Sequence, residues 1–198
     1  MLAVFVPGLS QVLWSGENPK SNEEIMVDLS RDAAGVFCTG LKISDTTSVA
    51  VSIENGEVNR FFSRPLLESF RQHFVFLYAR SGTASVDIAV SVPEITVTYG
   101  ESFSEGLFSA RESQRTIGIS VRLTAMRNAD GKILSAETER RSFSDTVYVD
   151  EINNLQASSK HIASGPMPDR SALERFIGPL IIAGAAGIAV YLFFTIRS

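Results

Sequence analysis

The residues best placed by type and spacing to do chemistry are the charged groups of one polar stretch. Between Gly100 and Gln114 the chain carries Glu101, Glu105, Arg111 and Glu112, and Arg115 follows at once. Paired carboxylates can act as general acid and base when a site shifts their ionisation. The same residues are also what a glycine-containing loop exposes to water, and charged side chains are rarely buried unless paired. We read them as solvated loop charges and assign no catalytic residue. Two histidines, His73 and His161, stand apart from any cysteine or carboxylate at metal-ligand spacing, so no metal site is expected. The lone cysteine, Cys38, has no partner for a disulfide and falls on a candidate helix, where a buried inert thiol is expected. Phosphate-cradling glycine loops, G-x-S-x-G elbows and H-E-x-x-H helices do not occur, and no cofactor is expected.

A binding surface is the better use of these residue types. Ser120, Arg122 and Thr124 oppose an apolar alternation, and Arg140 and Arg141 follow on the next strand. A polar sheet face carrying Arg122, Arg140 and Arg141 could dock an acidic partner or lipid headgroups, and it is equally the normal solvated face of a sheet. The long strand Val86 to Tyr99 offers an alternative, a free edge for a partner's strand, although Pro93 could serve to block it.

The elements that position these groups are legible from periodicity. Ile25, Leu29, Ala33, Val36 and Phe37 fall at helical spacing between an S-x-x-E start at Ser21 and Glu24 and a stop at Gly40. Val49, Val51 and Ile53 alternate as a strand ended by Asn55-Gly56. Phe61, Phe62, Leu66, Leu67 and Phe70 mark a second helix, with Pro65 expected near its start. The apolar run Phe74 to Ala79 suits a central strand, and a turn is expected over Ser81 to Ser85. Val86, Ile88, Val90 and Val92 alternate, and Ile95, Val97 and Tyr99 resume one step over, which predicts a bulge at Pro93-Glu94 on an edge-lying strand. Ile117, Ile119, Val121, Leu123 and Ala125 form the clearest strand, joined by the turn Asn128 to Gly131 to an antiparallel partner from Lys132 to Ser142. Ser144 is expected to cap a short helix to about Leu155, and the Ser, Gly and Pro-containing residues 157–170 read as a tether.

From Phe176 to Ile196 no side chain is charged. About 20 such residues at 1.5 Å each cross a hydrocarbon core, so a single membrane helix is expected. Pro179 would bend its entry, Ala183, Gly187 and Tyr191 share a face with small residues that lets a second helix approach, and Phe193 and Phe194 lie near the far end. Ser171 and Glu174 have capping-box spacing. At the other end, Met1 to Gly16 is uncharged and apolar. It either belongs to a secretion signal that lacks its basic start or forms an apolar strand or arm.

The organisation that follows is an apolar segment over 1–20, a globular domain over 21–156, a tether over 157–170 and an anchor over 171–198. The expected fold is α+β: a mixed, largely antiparallel sheet with helices on one face, followed by a C-terminal transmembrane helix. With 198 residues and a net charge of −4, the chain has room for one core and lacks the basic excess of a nucleic-acid binder.

The strand VAVSI, the helix region FFSRPLLESF, the strand DIAVSVPEITVTYG and the hairpin GISVRLTAMRNADGKILSAETER resemble the α/β domain of bacterial envelope lipoproteins of the curli-secretion-channel and penicillin-binding-protein-activator kind. The end YLFFTIRS is similar to that of single-span bacterial envelope proteins. The chain departs from the lipoproteins in having no lipid-attachment cysteine near its start. The resemblance implies an envelope-facing binding or assembly module, without enzymatic activity and with an envelope protein as partner. In this arrangement the bilayer is a second partner, a homo-oligomer can form through the anchor, and the domain faces the periplasm from the inner membrane. The alternative is a tail-anchored adaptor facing the cytoplasm, which Lys160, Arg170 and Arg175 before the span favour over Arg197 after it. A membrane-attached enzyme is a third class.

Overall fold

The structure is a computed structural model, and it describes residues 19–78, 84–104, 109–159, 161–169 and 172–196. The possible signal segment and the Ser81 end of the expected turn lie outside the described residues.

Helix α1, Asn22–Gly40, begins where the S-x-x-E spacing places it. Ser21 Oγ accepts from the Glu24 amide at 3.2 Å, and Glu24 Oε2 accepts from the Ser21 amide at 2.8 Å. These bonds hold the Glu24 carboxyl below the usual carboxylate range, the backbone bond contributing most. Its share of stability is therefore present above the unfolded pKa and fades as pH falls through the lowered one. Ile25, Met26, Ala33, Ala34 and Phe37 are buried, whereas Val36 points outward. The helix ends as Leu41 turns extended, not on a glycine in a left-handed conformation.

Strand β1 is Val49–Ile53, and helix α2, Glu57–His73, starts one residue after Gly56, whose φ of 153° disfavours any other residue. Pro65 therefore lies inside α2, not near its start. The missing donor leaves the Phe61 carbonyl without its helical partner. The buried face of Phe62, Leu66 and Phe70 holds the helix to the sheet, at about 1.5–3 kcal/mol per fully buried large side chain.

The Phe74 to Ala79 run does not make a central strand. Among its described residues Leu77–Tyr78 forms a strand, β2, at one edge of the described sheet, and Val75 and Phe76 stay exposed. Strand β3, Val86–Tyr99, carries the expected register shift between Ser91 and Glu94; it is interior over Val86–Val90, where β1 pairs with it, and has β4 alone beyond. The five strands run β2-β1-β3-β4-β5, with β1 parallel to both its neighbours and β3, β4 and β5 antiparallel. Where β1 ends, the Val92 amide that would have faced it donates instead to Asn59 Oδ1 of α2 at 2.8 Å.

Strand β4, Glu112–Arg127, and strand β5, Ile133–Tyr148, are both longer than expected. They meet through the Asn128 to Gly131 turn, where Gly131 has φ 67°. Ser144 sits inside β5 and caps nothing; the helical end is a 3-10 turn, Val149–Glu151, running into α3, Ile152–Leu155. Ile88, Val90, Ile117, Ile119, Val121, Leu123 and Ala125 form the buried face under α1 and α2. Among the described residues the opposite face carries none of the helices packed in the core.

Arg115 is the largest departure from the sequence reading. It is not a solvated loop charge but a β4 residue with 0 % of its surface exposed. Its Nε and Nη2 donate to the two carboxylate oxygens of Asp145 on β5, at 2.8 and 2.5 Å. Nη1 donates to Asn22 Oδ1 at 2.8 Å and to the Lys20 carbonyl at 2.9 Å, and Asn22 Nδ2 in turn donates to the Tyr99 hydroxyl at 3.0 Å. One guanidinium thus ties together β4, β5, the end of β3 and the start of α1.

Residues 161–169 pack on the domain where the sequence suggested a free tether. Ile162 and Ala163 lie against the core, and His161 meets Phe61 edge to face with ring centres 6.5 Å apart. Gly165 is buried, and a Cβ there would stand 2.8 Å from the Tyr99 ring and from the Val97 carbonyl. The Asp169 carbonyl accepts from both the amide and the hydroxyl of Ser102, at 3.2 and 3.0 Å.

Helix α4 is Ala172–Ile196 and runs through Pro179. Its described side chains, Pro179 to Thr195, are all exposed. Among the described residues no helix is long and apolar enough to cross a membrane, and that stretch falls short of the about 20 residues a span takes.

Two outcomes follow. Arg115→Ala strands the Asp145 carboxylate and the Asn22 amide and should cost about 3–5 kcal/mol in chemical denaturation. A cycle with Asp145→Ala should show strong coupling between the two. Gly165→Ala must push its neighbours apart, so limited trypsin digestion should cut near Lys160 and Arg170 faster than in the parent while the sheet stays intact.

Candidate interaction surfaces

Strand alternation decides which side chains share a surface. Along β4 the residues opposite the core set are Thr116, Gly118, Ser120, Arg122 and Thr124, and β5 faces them with Ser144, Ser142, Arg140, Thr138 and Ala136. The uncovered sheet face is therefore lined with small hydroxyl and methyl groups, and Arg122 and Arg140 rise from it, both exposed. Gly118 lets it lie flat: a Cβ there would meet Thr96 Oγ1 at 2.6 Å. A shallow depression of about 410 Å³ lies beside Arg122, between Ser52, Ala89, Ser91 and Thr124.

The third arginine is elsewhere. Arg141 pairs with Ile119 and so belongs to the helix-covered face. Its Nε stands 2.7 Å from Asp32 Oδ2 of α1, close enough for an ion pair but without hydrogen-bond alignment, and its Nη2 is 3.0 Å from Glu139. Adjacent arginines on a strand necessarily point to opposite faces, which the sequence reading did not apply to Arg140 and Arg141. The structure brings Arg122 and Arg140 together and gives Arg141 to the packing of α1 on β5.

β1 pairs with β3 only over Val86–Val90, so β3 beyond Val90 has β4 on one side alone, and the longest open edge among the described residues is that of β5. All of Ile133–Tyr148 has β4 on one side and no strand on the other among the described residues. Glu137, Glu139, Arg140 and Arg141 crowd its middle, the kind of charge that limits indiscriminate strand pairing.

The acid-base candidates do not converge. Glu101 is exposed beyond the end of β3, Glu112 opens β4 opposite Tyr148, Arg115 is buried, and Glu105 lies outside the described residues. His73 Nδ1 bonds the Ser69 carbonyl at 3.0 Å on α2, and His161 meets Phe61 edge to face. Among the described residues no group of three or more potential ligands could hold a metal ion. Burial pushes the Cys38 thiol up to about 12, so it stays protonated and unreactive at neutral pH.

On α4, Ala183, Gly187 and Tyr191 follow one another at four-residue spacing, and a Cβ at Gly187 would meet nothing within 4 Å. Phe193 and Phe194 contact each other edge to face, with ring centres 5.9 Å apart. All of these, with Pro179, are exposed.

No family model matches the sequence, and no curated protein does. Solved structures align with TM-scores too low to carry an argument. A hypothetical protein from Chlamydia trachomatis is 14 % identical over 50 % of this chain and 72 % of its own, with a TM-score of 0.30. The PelC dodecamer from Paraburkholderia phytofirmans is 15 % identical over 51 % of this chain and 75 % of its own, at 0.32. A minor lipoprotein from Acinetobacter baumannii is 12 % identical over 57 % of this chain and 78 % of its own, at 0.34.

Because Arg122 and Arg140 are exposed, changing both to Ser should alter stability by no more than about 0.5 kcal/mol. Arg141→Ala should cost up to about 1 kcal/mol through its part-exposed pair with Asp32. Urea denaturation of the variants checks both; a large loss in the double variant would mean that the open face is structural.

Proposed function

We propose that this chain is a single-span membrane protein of the bacterial cell envelope, whose α+β domain binds another envelope protein and catalyses no reaction. One observation carries the membrane part. Leu180, Ile182 and Phe194 of α4 are each about 70 % exposed, and no described side chain of that helix joins the core. A helix whose described side chains, Pro179 to Thr195, contribute nothing to the domain core and which is uncharged from Phe176 to Ile196 would find its solvent in lipid. The uncharged part, Phe176 to Ile196, is about 31 Å long at 1.5 Å per residue, close to the hydrocarbon thickness.

The binding part rests on the long unpaired edge of β5 and the uncovered face beside it. An extended segment of a partner can add to such an edge through backbone hydrogen bonds, with Arg122 and Arg140 selecting for acidic side chains. A second copy can meet the first along Ala183 and Gly187, where small residues let two helices approach. The resemblance to envelope lipoprotein domains supports the periplasmic side of the inner membrane. The second reading, a tail-anchored adaptor facing the cytoplasm, is favoured by Lys160, Arg170 and Arg175 preceding the span with only Arg197 after it.

Alkaline carbonate washing of membranes should leave the full chain in the pellet, and release into the supernatant would refute the span. Protease added to intact spheroplasts then separates the two orientations. Digestion of the domain without lysis is the expected result, and protection until lysis indicates the cytoplasmic form.

A further inference from the structure

The way residues 161–169 are held determines which end of the domain lies nearest the anchor. Asp169 is fixed to Ser102 by two hydrogen bonds, and Ala172 already belongs to α4. Three residues of extended chain span at most about 10 Å. Asp169 is therefore within that reach of Ala172, and Ser102, hydrogen-bonded to it, within about one residue spacing more, whatever the direction in which the helix leaves.

The residues beside Ser102 suit that position. Phe103 bridges Glu112, Glu112 pairs with Tyr148, and directly opposed residues in antiparallel strands share a face. Phe103 and Tyr148 thus lie on either side of Glu112 on the uncovered face, 45 % and 40 % exposed. Tyr148, with an apolar ring and a polar hydroxyl, has the chemistry of the headgroup layer, and the exposed Phe103 ring adds apolar area beside it. At the opposite end of the same hairpin, Ile133 is even more exposed, at 59 %, but β5 runs for 16 residues between them, roughly 50 Å at about 3.3 Å each. A hairpin standing on the bilayer touches it with one of these ends, and the end near Ser102 is the one next to α4.

We propose that the sheet end bearing Phe103 and Tyr148 rests on the lipid surface, with both rings in the headgroup layer. This deepens the membrane reading above and rests on it. The domain then stands upright on its anchor. Its β4–β5 turn points away from the bilayer, and the β5 edge is displayed along its height to a partner. Glu112 lies between the two rings, so the contact is with the interfacial layer itself and does not depend on anionic lipid.

The test uses the full chain reconstituted in phosphatidylcholine vesicles brominated high on the acyl chain. Trp14 is the natural tryptophan, so Trp14→Phe is the background into which Phe103→Trp, Tyr148→Trp and Ile133→Trp are placed one at a time. The expected result is strong quenching of the first two probes and emission from the third equal to that in unbrominated vesicles. Two aromatic-for-aromatic changes guard against one of them disturbing the fold. If the protein floats with the vesicles but Phe103→Trp and Tyr148→Trp are no more quenched than Ile133→Trp, the upright placement is wrong while the span stands. If it does not float, the span fails and this placement fails with it.

Discussion

The constraint on which the structure depends most is the burial of one guanidinium. Arg115 occupies a core position of β4 and is compensated at four of its donor contacts by Asp145, Asn22 and Lys20. A charge so placed is tolerated only if every partner is held in register, and a bidentate carboxylate supplies the strongest geometry for it. The Arg115–Asp145 pair sets the register of β5 on β4, and the contact with Asn22 sets where α1 starts. Through Asn22 the network reaches the hydroxyl of Tyr99, whose ionisation burial pushes upward. The ring of Tyr99 is the surface on which Gly165 lies. The polar network and the packing of residues 161–169 therefore share one residue, at the end of the sheet next to Ser102.

That linkage changes how the chain is divided. Composition suggested a domain, a flexible tether and an anchor. The Ser, Gly and Pro residues of the connecting stretch instead let it lie close against β3, where a larger side chain at position 165 would collide with backbone and ring. The half of β3 that β1 leaves behind is covered by Asn59 at Val92 and by Gly165 at Val97. The free edge is left to β5, at the other side of the sheet. The open edge of β5 and the side of β3 on which Gly165 lies are thus separated by the width of three strands.

What could be read from the residues alone was whatever a local period expresses. The alternation Ile117 to Ala125, the capping box at Ser21 and Glu24, the turn at Asn128 to Gly131 and the bulge at Pro93 each follow from neighbours a few residues apart. Strand order does not, because nothing local distinguishes β3 as an interior strand from β3 as an edge. Pro65 was misplaced because tertiary burial of Phe62, Leu66 and Phe70 outweighs one lost hydrogen bond. Ser144 was misassigned because a serine is as acceptable on an exposed strand face as at a helix start. Arg115 carried a signal that was available: it lies two residues before Ile117, on the same face as the core set, and continuing the alternation backward would have predicted its burial. The same alternation separates Arg140 from Arg141. The candidate partner surface was therefore half legible, and its remaining feature, the unpaired length of β5, required the topology.

The stretch after the sheet is clamped to it at Ser102, two hydrogen bonds holding the Asp169 carbonyl there. Hydrogen exchange of the full chain in lipid nanodiscs, followed at single amides, tests it most directly. The Ser102 amide, bonded to the Asp169 carbonyl, should exchange as slowly as the Gly100 amide that is bonded inside the sheet. Exchange of Ser102 at the rate of an unstructured chain, with Gly100 still protected, would show that the clamp is open and would contradict the account.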